Sequence, residues 1–173
     1  MVCRSSFSGP PAFFPEADDD PAARATYSLE NTKANELLYR RLDIADAVDA
    51  HLLGSEKAPQ IGFARYVVSA TSPFDQDQLA MLRRDAASVV RRLFSDCEHL
   101  YAARGWRLPD EIDRVYVNDR ARSDLGWRPQ FDFAHVLSCL RAKKDFRSEL
   151  ARQVGAKGYH DAVFEDGPYP VIS

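Results

Sequence analysis

Asp43 and Asp46 stand three residues apart. On a helix that spacing sets two carboxylates on one side. Such a pair can divide acid and base roles when its surroundings drive the two pKa values apart. At a helix start the same residues serve as caps for main-chain N–H groups. Here they read as the end of a strand and the opening of a helix. Trp127 follows a glycine, Gly126, and precedes Arg128. A tryptophan fixed behind a glycine stop either packs the turn or stacks on a ligand. Arg107, in the run RGWRLPDE, has the forked guanidinium that suits phosphate or carboxylate. Its alternative role is a surface ion pair. His51 reads as a satisfied core or boundary histidine, and Arg40 and Arg41 as surface or interdomain ion pairs.

These residues need elements to position them. The chain has 173 residues, 45% of them hydrophobic and 28% charged, with a formal charge of −3. That predicts a globular domain with a real core. The charge disfavours bulk binding to nucleic acid. The pairs Arg83-Arg84 and Arg91-Arg92 read as the wet face of an amphipathic helix. Cys3, Cys97 and Cys139 are sparse and odd in number. They read as reduced thiols in a cytoplasmic protein, without the close pairing of a zinc site. No apolar run approaches a membrane span and no signal peptide is expected, so no membrane partner is predicted.

Pro10, Pro11, Pro15 and Pro21 with Gly9 predict an extended or loop segment over 1–21. A lobe of mixed helices and short strands follows over 22–142, and a tail over 143–173. Helices are predicted at about 22–36, from Asp46 onward, and at 119–125. Strands are predicted at 37–44, 64–70 and 112–118, the second for its β-branched content. Asp75 with Gln78 forms a capping box. Leu79, Leu82, Ala86, Val89, Leu93, Cys97 and Leu100 recur at helical steps, with a break near 94–95 where Ser95 and Glu98 suggest a second cap. Asn118 is expected to cap the 119–125 helix and Gly126 to stop it. Asp132 caps a last helix whose buried stripe is Phe133, Val136, Leu137 and Leu140. The expected class is α/β, helix-rich.

Taken in order, four segments resemble one family. They are FFPEADDD at 13–20, RRLDIADAVDAHLLG at 40–54, ARYVVSATSPFDQDQL at 64–79 and, after a strand ending Tyr-Val-Asn, the run LGWRP at 125–129. The chain over about 12–142 is similar to the substrate-binding part of extended short-chain dehydrogenase/reductases, the NAD-dependent epimerases and dehydratases of the UDP-glucose 4-epimerase kind. The resemblance implies a sugar or nucleotide-sugar binding lobe. It places Arg107 near the family's phosphate-binding arginine, and Asp43, Asp46, Gly126 and Trp127 in structural roles. Glu36 stands where the family has its other phosphate-binding arginine.

The family's cofactor half needs a Gly-rich turn before a helix N-terminus to hold the pyrophosphate. No such turn occurs; the nearest pair, Gly155 and Gly158, follows no strand. The family's chemistry needs a Tyr with Lys four residues on, and none of the seven tyrosines has one. The intact family uses NAD or NADP. This chain is expected to bind neither alone, to hold no catalytic residue of its own, and to be a partial enzyme, inactive alone. The alternative is a non-catalytic binding or interaction domain derived from the lobe. A face left without its cofactor half predicts self-association.

Overall fold

The computed structural model describes residues 25–154. The predicted extended segment 1–21, Cys3, the glycines at 155 and 158 and most of the tail lie outside the described residues. Seven α-helices lie wholly within the described residues: α1 (Leu29–Glu36), α2 (Ile44–Ile61), α3 (Leu79–Leu93), α4 (Cys97–Ala102), α5 (Asp119–Leu125), α6 (Phe133–Arg141) and α7 (Glu149–Val154). A 3-10 turn, Gln76–Gln78, leads into α3. α2 packs on α5 and α7, α6 on α1 and α4, and α3 on α4.

The expected α/β class is overturned: the described residues are all-α, without a strand. The α/β substrate lobe expected from the resemblance is corrected with it. Residues 37–40 turn, and 64–70 and 112–118 run without regular secondary structure. Between these segments the main chain makes isolated hydrogen bonds. The Ala70 N–H donates to the Arg41 carbonyl at 2.7 Å and the Tyr116 N–H to the Tyr39 carbonyl at 2.7 Å. A sheet needs a repeating ladder of such bonds. The β-branched residues at 64–70 report burial instead: Tyr66 and Ala70 are buried, and Val67 and Val68 half-buried.

Helix ends follow local chemistry. Asp43, not Asp46, caps α2: its Oδ1 accepts the Ala45 N–H at 2.9 Å. Ser28 caps α1 and Asp132 caps α6. The Asp75 N–H donates to Gln78 Oε1 at 3.1 Å ahead of α3. Asp96, not Ser95, precedes α4, and its carboxylate pairs with Arg141 at 2.6 Å. Asn118 precedes α5 but makes no capping bond. Its Nδ2 donates to the Ser69 carbonyl at 2.8 Å and ties α5 to the 64–70 segment.

Gly126 ends α5 with φ 69°. A Cβ there would meet nothing closer than Lys57 Nζ at 3.7 Å, so an added methyl fits the space. The cost of Gly126→Ala is therefore conformational, about 1–2 kcal/mol for a left-handed L-residue. Urea unfolding of the variant should show that loss, and Gly126→Asn a smaller one.

α3 is not continuous. Asp85 leaves the helix, with φ −159° and ψ 71°. The ladder bond from the Ala86 N–H to the Leu82 carbonyl is replaced by two bonds to an inserted segment. The Ala86 N–H donates to the Asp110 carbonyl at 2.9 Å, and the Ile112 N–H to the Leu82 carbonyl at 2.8 Å. Asp85 Oδ1 then accepts the Ser88 N–H at 3.0 Å and starts the second half. Leu82, Ala86, Val89 and Ile112 close over the insertion as a buried cluster. A larger cluster joins α1, α4 and α6 through Leu38, Tyr101, Phe133 and Leu137.

Candidate functional site

Asp43, Asp46, Gly126 and Trp127 come together where α2 begins beside the end of α5. Asp43 Oδ2 accepts the Ser148 N–H at 3.0 Å, and Ser148 Oγ in turn accepts the Ala151 N–H at 3.0 Å, so one carboxylate joins the starts of α2 and α7. Asp46 is buried. Its Oδ1 accepts the Gln130 N–H at 2.9 Å and its Oδ2 the Phe131 N–H at 3.0 Å. Burial pushes its carboxyl up from the ordinary aspartate range, and the two N–H donors oppose that rise. The Trp127 indole N–H donates to the Asp46 carbonyl at 3.1 Å. The Trp127 ring is 1% exposed and packs with Ala50, Ala64, Tyr66, Ala121 and Leu125. Arg128 closes the turn: its Nη1 donates to the Trp127 carbonyl at 2.8 Å and the Arg122 carbonyl at 3.0 Å. All four oxygens of the two carboxylates accept main-chain N–H groups, so the place joins elements rather than presenting reactive groups.

Arg107 belongs to a second place, between α1, α3 and α4. Its peptide is clamped by two asparagines one turn apart on α1. Asn31 Oδ1 accepts the Arg107 N–H at 2.9 Å, while Asn31 Nδ2 and Asn35 Nδ2 both donate to the Arg107 carbonyl at 3.0 Å. The Tyr101 hydroxyl donates to Asn35 Oδ1 at 3.2 Å. Five residues on, the Ile112 N–H is held in the break of α3. The stretch from Arg107 to Ile112 is thus fastened at both ends. It forms one wall of a cleft of about 250 Å3, lined by Arg91, Glu98, Tyr101, Trp106, Arg107 and Asp110 among others. The Arg107 side chain is exposed there, and Trp106 is half-buried. Trp106 stands edge-on to Tyr101 at 5.4 Å and to Phe146 at 6.3 Å, and the Arg104 guanidinium sits over its ring at 5.4 Å. Arg91 pairs with Glu98 at 3.2 Å.

Other candidates are absorbed locally. Glu36 is buried and pairs with both Arg40 and Arg41; Arg41 is buried with it, while Arg40 is largely exposed. A buried carboxylate fastened to two arginines contributes no phosphate-binding group. His51 is exposed, not core, and its Nδ1 lies 2.7 Å from the Ala47 carbonyl of its own helix. Arg83, Arg84, Arg91 and Arg92 are exposed along α3. Burial pushes the Cys97 thiol up to about 12, which suppresses the nucleophilic thiolate. Cys139 Sγ lies 3.4 Å from His135 Nε2, but that nitrogen also lies 3.1 Å from the Phe146 carbonyl. A donor bond to the carbonyl puts the proton on Nε2 and leaves no lone pair there for the thiol.

Sequence reasoning reached Arg107 but not Asn31, Asn35, Trp106 or Asp110. Asn31 and Asn35 did leave a signal: two asparagines at a spacing of four inside a helix oppose its propensity and ask for partners elsewhere. Among the described residues no three His, Cys, Asp or Glu side chains group so as to hold a metal, and no helix is long and apolar enough to cross a membrane. Comparisons with protein-family models, with curated proteins and with solved structures give no match.

Proposed function

We propose that the chain is a binding lobe for a sugar or nucleotide-sugar, a partial relative of the NAD(P)-dependent epimerases and dehydratases that does no redox chemistry alone. One observation carries this: Arg107 borders a fastened, preformed cleft that combines an aromatic ring, guanidinium groups and carboxylates. Small-molecule sites have that composition, with apolar surface and a few placed polar groups. The order of the four sequence segments adds the ligand class. The chain carries no Gly-rich turn and no Tyr-x-x-x-Lys, so dinucleotide binding has no source of pyrophosphate contacts.

Calorimetric titration tests the reading. UDP-glucose, UDP-N-acetylglucosamine, dTDP-glucose and GDP-mannose form the ligand series, with NAD(H) and NADP(H) as the contrast. We expect binding within the first series, weakened by Arg107→Ala, and none by the dinucleotides. Heat from a dinucleotide at low micromolar concentration, or from no member of the sugar series, overturns it.

A second reading, a non-catalytic interaction module, draws on α2. Val48 and Leu52 lie one turn apart there and are 42% and 58% exposed. Apolar side chains stacked at that spacing make a helix face suited to a protein partner. Sedimentation of the purified chain should then show concentration-dependent association that Leu52→Glu abolishes. A monomer at high concentration removes this reading.

A further inference from the structure

The binding-lobe reading leaves open which part of a ligand enters the cleft. The geometry points to a single neutral monosaccharide ring, seated against Trp106, and not to the phosphates of a nucleotide. This rests on the binding-lobe reading and adds to it.

Charge is the first ground. Arg91 and Arg107 line the cleft, but so do Glu98 and Asp110. Glu98 already pairs with Arg91 at 3.2 Å. A diphosphate entering here would have to separate that pair and would face the Asp110 carboxylate. Two positive and two negative groups give no net attraction for an anion. They do give alternating donors and acceptors. A vicinal diol is both donor and acceptor, so its hydroxyls can donate to a carboxylate and accept from a guanidinium at the same time.

Size is the second ground. Pockets that bury drug-sized ligands run from about 300 to 1,000 Å3. A cleft of about 250 Å3 falls below that range. It has room for one ring, and the nucleotide of a nucleotide-sugar would lie outside it.

The third ground is the aromatic surface. Trp106 lines the cleft, and the Arg104 guanidinium over its ring at 5.4 Å does not line it. The electron-rich indole attracts the weakly positive C–H groups on the apolar face of a pyranose, as it attracts other positive edges. Tyr101 and Phe146 hold the indole edge-on, so it is set before the ligand arrives.

The test follows the indole N–H resonances of the full chain by NMR. Trp106 reports the cleft, and Trp127, bonded to the Asp46 carbonyl, is the internal control. The probes are methyl α-D-glucopyranoside, methyl α-D-mannopyranoside and methyl N-acetyl-β-D-glucosaminide, against UDP and inorganic phosphate. We expect at least one glycoside to shift Trp106 and leave Trp127 still. UDP and phosphate should neither shift Trp106 nor displace the glycoside. Asp110→Asn keeps the main-chain bonds of that residue and should weaken the glycoside about ten-fold, the loss of one charge-assisted hydrogen bond. Trp106→Leu removes the reporter, so its effect is read by calorimetry, where it should abolish glycoside binding. If UDP or phosphate shifts Trp106 and the glycosides do not, the ring assignment fails and the lobe reading stands. If neither the glycosides nor the nucleotide-sugars bind, both fail.

Discussion

Trp127→Ala should lower the free energy of unfolding by about 3–5 kcal/mol, the usual cost of deleting a buried large aromatic. The ring is buried where α2 packs on α5. Two parts of the loss are separable. The ring fills volume between Ala50, Ala64, Ala121 and Leu125, and the N–H satisfies the Asp46 carbonyl. Trp127→Phe keeps most of the first and loses the second, so it should cost clearly less. Denaturant midpoints measure both. A midpoint unchanged by Trp127→Ala would mean that the ring does not pack the turn, and ligand stacking would take its place.

Asp46→Ala should be the next most costly change, at about 2–3 kcal/mol. It strands the part-buried N–H groups of Gln130 and Phe131, each near the low end of the about 1–3 kcal/mol that a fully buried donor without an acceptor costs. Asp46→Asn should recover part of this. Its carbonyl oxygen can accept one N–H, but its amide then faces the other donor. Because Asp46 and Trp127 share a contact, the double change Asp46→Ala with Trp127→Ala should cost less than the sum of the two. Thermal unfolding of the three variants checks this, and strict additivity would mean that the two residues act separately.

How legible a feature was depended on whether its cause lies nearby in the chain. α5 with its Gly126 stop and α6 with its Asp132 cap are set by residues a few positions apart, and both occur where expected. α1 was harder to read. Its buried residues are Asn31, Lys33, Ala34, Asn35 and Glu36, so no apolar period marks it. The break at Asp85 was hidden for another reason. Leu82, Ala86 and Val89 keep one face across it, so the pattern runs on while the ladder does not. The three expected strands failed because β-branched residues signal burial on a surface, and only a neighbouring strand turns that into a ladder. Arg107 was legible as a residue but its cleft was not. Arg91 and Glu98 across the cleft, and Asn31 and Asn35 behind it, come from other helices.

The break in α3 also determines how this region opens. Ala86 and Leu82 exchange their mutual bond for one each with Asp110 and Ile112, so neither the middle of α3 nor the 110–112 segment is complete without the other. α4 and the Trp106–Arg107 corner lie on the chain between them. A local fluctuation that unwinds α3 at Asp85 removes one of the loop's fastenings, while the Asn31 and Asn35 clamp on Arg107 and the packing of Tyr101 against Phe133 still hold it. The bonds that complete the break in α3 come from residues some two dozen positions later, so the cleft wall and the middle of α3 share their main-chain hydrogen bonds.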